Sequence, residues 1–215
     1  MSQTETHIFE NQSRGEEIAN SITHGIGALA AIAATVVLIV LAALSHSAVK
    51  VVGVSIFGAT MVMLYTASTL YHGIQSPGVK HLFHIFDHSA IFLLIAGTYT
   101  PISLVALQGG WGWSIFGVTW GLAALGIVVT AIFFNRARYI SLALYIAMGW
   151  LVVFTGPRLF EALSFPALVW LFTGGVLYTG GVIFYRMKQL HFHHMIWHLF
   201  VLAGSACHFF MMMEI

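Results

Sequence analysis

Of the 215 residues only fifteen carry a formal charge, eight Lys or Arg and seven Asp or Glu, while 59% are hydrophobic. Soluble domains run at about 25% charged residues. At 7% this chain cannot cover a water-facing surface, so lipid must be the solvent for most of it. The same arithmetic excludes disulfide scaffolds and disordered regulators, and a net charge of +1 excludes a phosphate-polymer binder; no nucleic-acid partner is expected.

Twelve histidines stand against a single aspartate, and imidazole is costly in hydrocarbon, so some of them need a functional reason. Cys207 is the lone cysteine and permits no intrachain disulfide. From Met1 to Glu17 the chain is polar and acidic, which predicts a cytoplasmic tail. It does not have the basic start and cleavage site of a signal peptide.

Charges rarely sit at bilayer depth, so the uncharged intervals read as membrane segments, each needing about 20 residues to cross roughly 30 Å. Ile18 to Val49 holds the first span, and Val51 to Val79 the second, ending near His72 before the turn Gln75-Ser76-Pro77-Gly78. His88 to Asn135 is too long for one crossing and carries a turn signal at Gln108-Gly109-Gly110-Trp111-Gly112, so it holds two. Tyr139 to Pro157, Ala162 to Tyr185 and Gln189 to Met213 complete an all-α, seven-transmembrane helix bundle, one domain over residues 18–215. Strands are a poor alternative because the runs are long and do not alternate.

With the N-terminus inside, Arg14, Lys80, Arg136, Arg138, Arg186 and Lys188 are cytoplasmic, and only Lys50 and Arg158 are outside. Six against two predicts a cytoplasmic N-terminus and an extracytoplasmic C-terminus. Gly117 with Gly121 is expected to mark close helix packing. Trp111, Trp113, Trp170, Tyr139 and Tyr185 fall near span ends and fit an aromatic belt.

In this topology three helix ends meet in one leaflet: Ser68-Thr69-Leu70-Tyr71-His72, Phe86-Asp87-His88, and the run from His191 to His198. Residues four apart share a helix face, so His194 and His198 can present two imidazoles to one point. A third nitrogen from His72 makes the donor set of a catalytic zinc, three protein ligands with a fourth position open. Imidazole also suits copper, iron or nickel. Asp87 is then placed to accept a hydrogen bond from a ligand imidazole or from water at the open position and to act as general base, with Ser68 donating to an oxyanion.

Each residue has a plainer reading. His72 alone would be an interfacial residue, His194 with His198 a cluster snorkelling to phosphates, Asp87 a charge on a helix N-terminus, and Ser68 a hydroxyl bonded back to its own helix. His81, His84, His88, His191 and His193 crowd the same boundary, and His191 shares a face with His194 and His198. On spacing alone His84 and His88 could replace His72. His208, about 15 Å along the helix from His198, cannot join the same ligand set. His24 could approach the site without an evident partner, and His7 and His46 read as aqueous. Pro101 predicts a kink over Gly97-Thr98-Tyr99-Thr100-Pro101.

These residues carry a resemblance across nearly the whole chain: Glu16-Glu17-Ile18-Ala19-Asn20 with Thr23-His24-Gly25-Ile26-Gly27, Ser68 to His72, Phe86 to Ala90 running on to Pro101, and His194 to His198 followed by His208-Phe209. Taken in order, the set resembles the haemolysin III group of the progestin and adiponectin receptor family, related to the alkaline ceramidases. The resemblance implies zinc held by His72, His194 and His198, with Asp87 reaching it through water and Ser68 nearby. It also implies a cytoplasmic N-terminus, and the short stretch before Ile18 fits the bacterial members, hence a multi-pass protein of the bacterial cytoplasmic (inner) membrane.

Three functions follow as expectations: a zinc-dependent intramembrane hydrolase of a lipid amide or ester, a haemolysin-type pore-forming or membrane-perturbing protein, and a non-enzymatic sensor of membrane lipid state with a structural zinc. Membrane lipids are the expected partners in each. The sequence offers no ring of charge for a pore, since Asp87 stands alone.

Overall fold

A computed structural model describes residues 12–215; most of the polar segment from Met1, with His7, lies outside the described residues. The described chain is helical: α1 Arg14–Leu44, α2 Ala48–Gly73, α3 Pro77–Pro101, α4 Gly109–Gly149, the short α5 Pro157–Ala162, α6 Phe165–Arg186 and α7 His193–Glu214. Six segments are long and apolar enough to cross a bilayer: α1, α2, α3 extended to Leu107, Gly109–Phe134, α6 and α7. The segment Tyr139–Thr155, read from sequence as the fifth span, is apolar but shorter.

Helix α4 has 41 residues, about 60 Å at 1.5 Å per residue and twice the hydrocarbon thickness. It is interrupted at Phe133, whose backbone leaves helical geometry (φ −116°, ψ 30°). Its second half is tied into the bundle by the Tyr99 hydroxyl, which donates to the Gly149 carbonyl at 3.0 Å and accepts from the Val152 amide at 2.7 Å. The Trp150 indole then donates to Thr179 on α6 at 3.0 Å.

Local chemistry sets the helix ends. Ser13 and Glu16 form a reciprocal capping box at α1, Ser47 and Ser164 cap α2 and α6 by accepting from the backbone, and Pro77 opens α3 at a position where its missing N–H is not needed. The turn expected at Gln108 is present. The Pro101 irregularity falls later than expected: α3 stays helical through Pro101 and then widens into a π-helical turn over Ile102–Leu107, closed by the Gln108 amide on the Ser103 carbonyl at 3.1 Å.

The bundle inverts the polarity of a soluble protein. On α1 the buried face reads Glu17, Asn20, His24, Gly27, Ala31, while Ile18, Ile22, Ile26 and Leu29 point outward and are half or more exposed. In lipid an apolar exterior is no liability, and burying the polar stripe needs partners. At the span ends, the Arg158 guanidinium lies 4.7 Å over Trp111, Arg186 5.9 Å over Tyr139 and Lys188 4.8 Å over Tyr185, as an interfacial belt requires.

Close helix packing does use glycine, at other positions than expected. A Cβ on Gly117 or Gly121 would meet nothing within 4 Å, because both sit on the outer face of α4. At Gly58 it would collide with Thr35, at Gly97 with Thr60 and at Gly126 with Phe92, which are the approaches of α2 to α1, α3 to α2 and α4 to α3. Gly97→Leu is therefore expected to lower stability by about 1–3 kcal/mol through overpacking, read as a reduced melting temperature in detergent. Gly117→Leu should leave it unchanged.

Candidate metal centre

Two helices deliver the three imidazoles. His72 comes from the last turn of α2, and His194 and His198 lie one turn apart on α7. All three are buried, and one ligand nitrogen from each lies within 4.8 Å of the other two. The ring centroids are 5.0 Å apart for His72 and His194, 5.2 Å for His72 and His198, and 4.7 Å for His194 and His198. Such a group could hold a metal ion. Among the described residues this is the one set of three or more such groups, so His84 and His88 do not take the place of His72.

The state of His72 is set by its neighbours. Its Nδ1 lies 2.7 Å from Glu17 Oε2, and a carboxylate at that distance puts the proton on Nδ1. That leaves Nε2 with a bare lone pair, and Nε2 is buried without a hydrogen-bond partner. A neutral imidazole oriented by a carboxylate, with its other nitrogen unmet, is the arrangement of a metal-bound histidine. Glu17 Oε1 in turn pairs with Lys80 Nζ at 3.0 Å, and Lys80 also donates to the Tyr71 carbonyl at 2.9 Å. Both charges of the pair are about nine-tenths buried, so each depends on the other.

Adjacent acids on α1 therefore do separate work. Glu17 orients His72, whereas Glu16 Oε1 accepts from the Phe192 amide at 3.0 Å and holds the start of α7. Phe192 is left-handed (φ 58°), and α7 begins at His193. This corrects the expectation for His191: it precedes the helix, is exposed, and shares no helical face with His194 and His198.

Asp87 is buried, at 7% exposure, and sits in the interior of α3. Because α3 starts ten residues earlier at Pro77, Asp87 is not the N-terminal charge of its helix. Its Oδ2 lies 3.8 Å from His88 Nδ1, and together with His194 and His198 it lines a cavity of about 150 Å³. One water needs only about 10–15 Å³ on that scale. The wall is mostly apolar, formed by residues such as Ile102, Leu171 and Val201.

Ser68 is fully buried one turn before His72, and its Oγ has no hydrogen-bond partner. The back-bonded reading thus fails for Ser68, although the neighbouring Thr69 does bond back, to the Tyr65 carbonyl at 2.6 Å. Ser68 does not line the cavity.

His24 enters the site more closely than spacing indicated. Its ring stacks on His198 with centroids 3.5 Å apart and planes 12° from parallel, and neither of its nitrogens has a partner. Imidazole lone pairs lie in the ring plane, so two rings stacked in parallel layers do not aim at one ion. Glu17 and Lys80 were missed as site residues from sequence, and His24 was expected near the site without an evident partner. The available signal was the spacing Glu17, Asn20, His24, which places three polar groups on one face of an otherwise apolar helix.

Comparison with known proteins gives the family. The sequence profile described as Haemolysin-III related matches residues 12–209. Hemolysin-3 of Bacillus cereus is 48% identical over 195 residues, 91% of this chain and 89% of its own length, and the Hemolysin-3 homolog of Bacillus subtilis is also 48% identical, over 91% and 92%. The human Monocyte to macrophage differentiation factor is 28% identical over 207 residues, 91% of this chain and 82% of its length. A multi-pass helical membrane protein matched from the first described residue almost to its end, this chain belongs to the haemolysin III-related family.

Proposed function

We propose that the chain is a zinc-dependent intramembrane hydrolase of a lipid amide or ester. The observation that carries this reading is the buried, unpartnered Nε2 of His72, held by Glu17 beside His194 and His198, which with Asp87 line an apolar cavity. A zinc ion held by three neutral imidazoles would supply a Lewis acid that polarises a carbonyl and lowers the pKa of water to about 7. In this reading His72, His194 and His198 hold the ion, and Glu17 fixes the tautomer and angle of His72. Asp87 takes the proton of the attacking water and returns it to the departing amine or alcohol. Ser68, one turn before His72 and outside the cavity wall, donates its unpartnered hydroxyl to the water at the site.

The reading includes a membrane frame: seven crossings, with Tyr139–Thr155 as the shortest, the N-terminal segment in the cytoplasm, the C-terminus outside, and the site near the inner face of the bacterial cytoplasmic membrane. The excess of Lys and Arg on one side supports it. The relatives' name supports a second reading, a membrane-perturbing protein. A third is a lipid-state sensor whose zinc is structural.

Two variants separate these. Asp87→Asn should keep its zinc but lose about 10²–10⁴-fold in lipid-product release from acyl-amide or acyl-ester substrates in detergent. Equal turnover by the variant removes Asp87 as the base, zinc without turnover on any lipid class favours the sensor, and dye leakage from proteoliposomes that persists in metal-free protein favours the membrane-perturbing role. Glu17→Gln should weaken zinc binding about 10–100-fold by chelator competition, with α-helical content unchanged by circular dichroism.

A further inference from the structure

The cavity has a second polar end that the hydrolytic scheme does not use. His208 lines it, ten residues and therefore about 15 Å along α7 from His198. The ring is 7% exposed in an apolar bundle, where leucine would pack without any polar cost. Its place is built: Gly174 on α6 makes room for it, since a Cβ there would lie 2.5 Å from His208 Nε2.

One nitrogen of this ring is accounted for and the other is not. Nε2 faces the Leu171 carbonyl at 3.4 Å, and Nδ1 is buried with no partner. The nearby hydroxyls are already committed to one another: those of Tyr65 and Tyr178 meet Ser205 Oγ at 2.6 Å and 2.7 Å. A neutral imidazole carries one N–H, and the nitrogen facing a carbonyl is the one that holds it. Nδ1 is therefore an acceptor, and what it lacks is a donor.

The geometry points to a second subsite, in which His208 Nδ1 accepts a hydrogen bond from a hydroxyl carried part-way along the acyl chain of a bound lipid. This rests on the proposal that the cavity holds a lipid whose reacting end lies at the metal centre. The 15 Å between the ends puts the hydroxyl at mid-chain, and the acceptor character of Nδ1 selects a hydroxyl over a keto group or a plain chain.

The test is calorimetric titration of the purified, metal-loaded protein in detergent with ricinoleic acid, its mid-chain keto analogue and oleic acid. Wild type should bind ricinoleic acid about five- to ten-fold more tightly than either of the others, the worth of one hydrogen bond. His208→Phe should bind oleic acid as wild type does and lose the preference. Equal affinity of wild type for all three overturns the subsite and leaves the lipid cavity standing. Failure of oleic acid to bind at all overturns the cavity reading, and the subsite with it.

Discussion

One carboxylate, that of Glu17, joins the parts of this structure. It reaches from α1 to His72 on α2 and to Lys80 on α3, and so holds three helices at the same depth. Through His72 it fixes which nitrogen is bare, and through Lys80 it stays ionised in a place where a lone charge would be untenable. Removing one partner of a buried pair costs about 3–5 kcal/mol, since the survivor is left uncompensated. The next residue, Glu16, holds the backbone at the start of α7, which carries the other two imidazoles. The first turn of α1 is thus the frame of the site, though it supplies none of the three candidate ligands.

The polarity of the bundle explains why such a frame is needed. With apolar residues outside, helix association gains little from hydrophobic burial, and the bundle relies on close packing and on polar contacts. Gly58, Gly97 and Gly126 bring neighbouring helices together, and Tyr99 and Trp150 tie in the second half of α4. Four of the buried imidazoles, having polar atoms without protein partners, are exceptions, as is the Ser68 hydroxyl. His24, His72, His198 and His208 each bury at least one such nitrogen, and unmet groups of this kind call for an ion, water or ligand.

Much of this was legible in the sequence, for identifiable reasons. Charge gaps located the six long apolar segments because a charge at bilayer depth is costly, and the turn at Gln108 followed from its glycines. The spacing of His194 and His198 gave a shared face, but spacing could not choose between His72 and the histidines of α3; the family resemblance did. Other features depended on tertiary approach or on a single backbone angle. Glu17 becomes meaningful only when α1 meets α2, and Lys80 had been read only as a marker of orientation. His191 was misassigned because nothing local announces the left-handed Phe192, and Gly117 with Gly121 matched a packing motif on a face that no helix covers. The Ser13 to Glu16 capping box was open to view, and it would have started α1 at Arg14 and put Glu17 on the helix.

The central claim is that His72, His194 and His198 form a centre that binds one metal ion. It is tested most directly by elemental analysis of the purified protein beside His72→Ala, His194→Ala and His198→Ala. Wild type should carry about one zinc per chain, and each variant should lose it while remaining helical. Zinc retained in full by folded variants, or wild type without stoichiometric metal, would contradict the account.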